Sequence, residues 1–240
     1  MKIVGTSEKP LGLVDVATLA GLDKSTTSRL LRVLEQQGFV RRESSSRLYS
    51  SGPTLISLAS FAMGQMDLVK LARSDLVALR DETGETVSLH VRQQLNRVCV
   101  DGAESLHMLR RAVPWGGHLP LYQGPSGKAI LAFMSEAHVE ASLEQAREAG
   151  FDTAAIRKDL SAVRERGLAI GVGDRTPDVG AVSVPIFDRE GVTGSITIAG
   201  PAERWSIGRM EETEARLRDV ASVLSARLGS SFGDNGKWEI

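Results

Sequence analysis

The stretch Gly21-Leu22-Asp23-Lys24-Ser25-Thr26-Thr27-Ser28-Arg29-Leu30-Leu31-Arg32-Val33-Leu34 decides how this chain is read. Gly21-Leu22 closes a short helix in which Leu13, Val16, Ala17 and Ala20 recur at helical spacing, since glycine accepts the left-handed backbone that ends a helix. Asp23 then caps the next helix, its carboxylate placed to accept from the amides of Ser25 or Thr26. On that second helix Thr27, Leu30, Leu31 and Leu34 form one stripe, and Gly38 ends it after Gln37. The opposite face presents Ser25, Arg29, Arg32 and Gln36. Helix, glycine-containing turn and second helix make a helix-turn-helix, whose second helix enters a major groove N-terminus first. Free amides and hydroxyls there meet phosphates and base edges.

Downstream, Phe39-Val40-Arg41-Arg42, the polar turn Glu43-Ser44-Ser45-Ser46 and Arg47-Leu48-Tyr49-Ser50 read as two short strands around a serine-rich turn. Such a wing lays its arginines along a phosphate backbone. The candidate DNA contacts are therefore Lys24, Ser25, Thr26, Arg29 and Arg32 on the helix and Arg41, Arg42 and Arg47 on the wing. An αα-hairpin and a β-hairpin used only for packing is the alternative; arginines recurring on both outer faces weigh against it. Upstream, only Met1-Lys2-Ile3-Val4 precede Gly5, enough for one helical turn. A winged helix needs a first helix as cover, so Val16, Leu30 and Leu34 are expected to be partly exposed and DNA affinity weakened.

The charge distribution agrees with a polyanion at this end. Residues 1–52 hold eight basic and five acidic side chains, a net of +3, whereas the remaining residues hold 21 basic and 25 acidic ones. The whole chain has 240 residues, 42% of them hydrophobic, and a formal charge of −1, which excludes a disordered or collagen-like polymer. No apolar run approaches the roughly 20 residues that cross a bilayer. A single cysteine, Cys99, makes no internal disulfide and fits a cytoplasmic protein. Four scattered histidines lack metal-ligand spacing, so neither a metal nor a cofactor is expected.

Beyond the wing, Pro53 to Gln65 reads as an apolar helix and Asp67 to Thr83 as an amphipathic one. Strands are expected at Thr86–Arg92, Arg97–Val100, Leu106–Arg110, Leu168–Val172, Val182–Phe187 and Val192–Ile198. Helices start near Ser126, Ser135 and Ile156, and a last one runs from Met210 to Leu228. The fold class is α+β, with helices segregated to the faces of a sheet.

A resemblance joins these pieces. Gly21 to Leu31, Gly38-Phe39-Val40 and Tyr49-Ser50-Ser51-Gly52-Pro53 resemble the DNA-binding end of IclR-type bacterial transcriptional regulators. His118-Leu119-Pro120-Leu121, Ser126-Gly127-Lys128-Ala129-Ile130-Leu131-Ala132, Gly167 to Asp188 with Pro185-Ile186-Phe187-Asp188, and Gly200-Pro201 follow the family's later motifs in order. The resemblance implies a winged helix-turn-helix (1–52), short here of its first helix, a linker helix (53–66), and a GAF-like antiparallel sheet with flanking helices that binds an effector (67–229). A tail (230–240) is expected to fray. It also implies a dimer or dimer of dimers on an operator, and an effector pocket lined by Met108, Leu119, Pro125, Ser126, Gly171, Val179, Ala181, Thr197 and Ala199.

The helix start at Ser126-Gly127 offers amides to a carboxylate without help from a cationic side chain; a plain helix start with a solvated Lys128 is the alternative. Gly171 stands where the family has an acidic residue or serine, Asp174 where it has glutamate, and Ala181 and Ala199 where some members have Cys and Ser. These departures imply a roomier, more apolar pocket and an effector such as an aromatic acid. Arg110, Arg111 and Trp115 either clamp such a ligand or serve as surface charges and a loop anchor. An enzyme is not expected: no Gly-x-Ser-x-Gly elbow appears, Gly171-Val172-Gly173 lacks a third glycine, and Cys99 sits in an apolar strand pattern as an inert core thiol. The rival to a ligand-responsive regulator is a metabolite sensor that has lost DNA binding and acts through protein contacts.

Overall fold

A computed structural model describes residues 1–65, 67–112 and 115–230, with backbone alone for 60–65. The chain divides into two compact units, Met1–Met66 and Asp67–Ile240. The expected frayed tail lies, Ser230 apart, outside the described residues.

The first unit runs α1 (Lys2–Gly5), α2 (Leu13–Ala20), α3 (Lys24–Gln36), β1 (Val40–Arg42), β2 (Tyr49–Ser51) and α4 (Pro53–Gln65). Its core is small: Val4, Val16, Leu31, Val40 and Tyr49 are buried, with Leu11, Leu13 and Leu34 against them. The one-turn α1 thus puts a fully seated Val4 over Val16, and the expected exposure of Val16 does not occur. Leu30 does stay 48% exposed. Thr27 and Leu31, one turn apart, take the inward line of α3, which leaves Leu30 about 100° round at the rim. Leu11 bridges Tyr49 through two backbone hydrogen bonds of 2.8 and 2.9 Å, holding the wing to the segment before α2. The start of α4 is stapled to the end of α3. Thr54 Oγ1 donates to the Gln37 carbonyl at 2.9 Å, and a side chain on Gly52 would come within 2.1 Å of the Gly38 carbonyl oxygen.

The second unit begins with α5 (Asp67–Thr83), β3 (Thr86–Gln93), β4 (Asn96–Ala103), β5 (His118–Pro120) and α6 (Gly124–Leu131). There follow α7 (Glu136–Glu148), α8 (Thr153–Arg166), β6 (Ala169–Val172), β7 (Val179–Asp188), β8 (Gly191–Pro201), α9 (Ile207–Glu212) and α10 (Glu214–Arg227). The strands form one antiparallel sheet in the order β5-β4-β3-β8-β7-β6. Period-two alternation gives it two unlike faces. Val87, Leu89, Val182, Val184, Ile196 and Ile198 face the core shared with α5 and α10. The other face carries small and polar residues, among them Ser88, His90, Ala181 and Thr197, and this face positions the site.

Two expected elements differ. Leu106–Arg110 is a loop, because β4 ends at Ala103 and the strand that pairs with it is His118–Pro120 instead. The last helix breaks at Thr213, whose hydroxyl donates back to the Met210 carbonyl at 2.8 Å.

Candidate functional site

The first candidate surface is built by α3 and the wing. Asp23 caps α3 as expected, accepting from the Thr26 amide at 2.9 Å and the Ser25 hydroxyl at 2.7 Å. The Ser25 hydroxyl, then the Thr26 amide, hold the Asp23 carboxyl well below the usual carboxylate range. Lys24, Ser25, Arg29 and Arg32 are exposed and Thr26 is half-buried. On the wing Arg41 Nε donates to Ser50 Oγ at 2.9 Å, and the Arg42 guanidinium lies 5.3 Å from the Tyr49 ring centre. Both arginines reach across the hairpin to β2 and are exposed. Arg47 is a turn residue with φ 58° and not part of a strand, since the Arg47 amide donates to Glu43 O across a tight turn. Six of these eight residues carry positive charge on exposed helix or wing side chains, and the face suits an anionic, periodic backbone.

The second candidate is a cleft of about 660 Å³, its mouth included, between the small-residue face of the sheet and the start of α6. Leu119, Pro125 and Ser126 line it from β5 and α6, and Gly171, Val179, Ala181, Thr197 and Ala199 from β6, β7 and β8. Met108 does not belong: it is 98% exposed on the loop that replaces the expected strand, and without a strand there nothing turns it inward. Among Arg110, Arg111 and Trp115, only Arg111 lines the cleft; Arg110 pairs with Glu104 at 3.0 Å and Trp115 is half-exposed.

Polar side chains join these small and apolar ones. Ser88 and His90 from β3 and Arg97 and Cys99 from β4 also line the cleft. Arg97 is 2% exposed, enters no ion pair among the described residues, and leaves Nε without a partner while Nη1 donates to the Pro120 carbonyl. Burial pushes its pKa down to about 10, so it remains a cation at neutral pH. A side chain on Gly127 would come within 2.6 Å of Arg97 Nη1, so glycine there lets the guanidinium lie against the first turn of α6. His90 Nε2 meets Ser88 Oγ at 3.0 Å and Nδ1 has no partner. Burial, then Arg97, lowers the His90 pKa to about 3, keeping the ring neutral. Burial first and Asp101 second raise the Cys99 thiol to about 12, so it is inert. The signal for Arg97 was available: on β4 it lies two residues from Cys99, and the parity that turns Cys99 inward turns Arg97 with it.

Gly171 and Asp174 act together. A side chain at Gly171 would come within 2.7 Å of Asp174 Oδ1. Its absence lets Asp174 tuck in and pair with Lys128 Nζ at 2.6 Å, while Asp159 pairs with the same ammonium at 2.7 Å. Lys128 is therefore no solvated lysine; burial opposes its charge, but the two carboxylates prevail and raise its pKa. Among the described residues no cluster of His, Cys, Asp and Glu is arranged to hold a metal, and no helix is long and apolar enough to cross a membrane.

Both ends of the chain match known domains. Residues 1–44 match the IclR helix-turn-helix domain and residues 60–226 the bacterial transcriptional regulator IclR C-terminal domain. The transcriptional repressor IclR of Escherichia coli K12 is 28% identical over 235 residues, 94% of this chain and 86% of that protein. A glycerol operon regulatory protein of Streptomyces coelicolor is 31% identical over 238 residues, 96% of this chain and 93% of that one. Among solved structures, an IclR-type regulator from Silicibacter sp. TM1040 superposes with a TM-score of 0.82 at 28% identity, covering 96% of this chain and 93% of that one. Thermotoga maritima IclR gives 0.70 at 26%, covering 95% of each chain. These relatives are regulators and not enzymes. The chain belongs to the IclR family of bacterial transcriptional regulators, with a DNA-binding helix-turn-helix and a C-terminal regulatory domain.

Proposed function

We propose that this regulator is ligand-responsive: a small organic acid occupies the cleft of the second unit and changes the affinity of the first for its operator. The observation that carries the reading is Arg97, a buried guanidinium without a carboxylate partner, set against the open first turn of α6 and lining a cleft. An uncompensated buried cation is costly, and an anion entering beside it supplies what the fold omits. On the DNA side, Lys24, Ser25, Thr26, Arg29 and Arg32 read or clamp a half-site while Arg41, Arg42 and Arg47 rest on phosphates. One such unit spans too few base pairs for genomic specificity, so a dimer or dimer of dimers in the cytoplasm is the working form. The link between effector and DNA runs through α4, because its start is hydrogen-bonded to the end of α3. A ligand shifts DNA affinity only by favouring one arrangement of these elements.

The test is a salt-titrated binding assay on DNA from beside the chain's own gene, with and without organic acids. Salt-dependent affinity well above that for random DNA, altered by an acid, supports the reading. Acid binding without specific DNA binding supports the rival, a sensor acting through protein contacts.

A further inference from the structure

The charges around the cleft do not balance. Three arginines line it: Arg97 at depth, and Arg111 and Arg175 from the loops on either side. Asp174 is the one carboxylate among the lining residues, and Lys128 already holds it. Neither Arg111 nor Arg175 enters an ion pair among the described residues. The amide groups that open α6 add partial positive charge beside Arg97, because Gln123 at the N-cap makes no side-chain cap. His90 contributes no charge to either sign while its ring is neutral, although its unpartnered Nδ1 gives a second polar contact next to Arg97. A monocarboxylate neutralises Arg97 and leaves the two outer guanidinium groups unmatched.

We infer that the cleft is built for a dicarboxylate, with one carboxylate on Arg97 and the first turn of α6 and the other on Arg111 and Arg175. This rests on the reading of the cleft as the effector site and adds the ligand's charge and polarity to it. A planar guanidinium grips a carboxylate through two parallel hydrogen bonds, so each end of such a ligand is held in orientation as well as in charge. The apolar walls between them, Leu119, Pro125 and Val179, cover a short carbon chain or a ring.

The experiment is calorimetric titration of the full chain with acids matched in skeleton: butyrate against succinate, hexanoate against adipate, benzoate against terephthalate. At least one diacid is expected to bind ten-fold or more tightly than its monoacid. The double variant Arg111→Gln/Arg175→Gln, on outer loops where folding is not at risk, is expected to reduce that diacid to the level of its monoacid and leave the monoacid unchanged. Arg97→Met is expected to abolish binding of both without lowering the thermal midpoint of the ligand-free protein; a purely structural arginine would lower it. Monoacids binding as tightly as diacids, or diacid affinity indifferent to the double variant, overturn the inference and leave the effector reading standing. Failure of every acid to bind, in a chain that still binds its operator, overturns both.

Discussion

Arginine plays opposite parts in the two units. Arg29 and Arg32 stand on the exposed face of α3, open to water and counter-ions. Arg97 is 2% exposed on the cleft side of the sheet and enters no ion pair among the described residues. The first kind costs the fold little, because water solvates it; the second carries the desolvation cost of a buried charge without an ion-pair partner. The contrast extends to the cores. A small cluster around Val4, Val16, Leu31, Val40 and Tyr49 holds the DNA-binding unit, whereas a larger cluster from α5, the sheet and α10 lies in the other.

The largest effect that sharpens this contrast is in the small core. Leu31→Ala removes a side chain 2% exposed and should cost about 2–5 kcal/mol, enough to melt the first unit ahead of the second in calorimetry. Operator binding should go while cleft ligands still bind; loss of both together would show that the two units do not fold independently. Next, Arg29→Ala should cost about 1–3 kcal/mol of operator affinity and relax base preference, read by binding selection. An unchanged operator profile would place the reading face elsewhere on α3. Arg41→Ala, by contrast, should weaken all sequences alike and reduce the salt slope by about one.

Smaller effects separate the titrating groups. Cys99, held as a thiol by burial, should resist alkylation at neutral pH in the folded chain and react only on unfolding. Rapid labelling would show that β4 opens. Smallest is the cap of α3. Because the Asp23 carboxyl is lowered in the folded state, its stabilisation is present above the ordinary aspartate pKa of about 4 and is lost as pH falls below it. Asp23→Asn keeps a capping side chain and should flatten that part of the acid limb of the melting curve, leaving neutral-pH stability nearly unchanged.

Most of the first unit was legible in the chain. A left-handed glycine at 21, an N-cap at 23 and helical spacing are local signals, and the structure shows Gly21 at φ 64° and the Asp23 cap where they point. Leu30 is partly exposed as expected, because a stripe four residues wide exceeds what a small core can cover. In the second unit eight of the nine expected pocket positions do line the cleft. The exception, Met108, was assigned to a strand that has no neighbour to pair with. The polar part of the cleft was not legible, because Ser88, His90 and Arg97 lie on β3 and β4, away from the motifs at 119–126 and 171–199.

By itself the sequence determined the class of protein: the cap, turn and stripe of a reading helix, a basic first segment, and the alternation that builds a sheet are all written within a few neighbouring residues. Only the tertiary structure decided which charged and polar groups meet in the cleft. Which charges are left unpaired depends on which side chains from β4, α6 and two distant loops converge, and on Lys128 having already claimed Asp174. Local spacing sets where a side chain points along its own element; compensation of charge is a property of the packed whole.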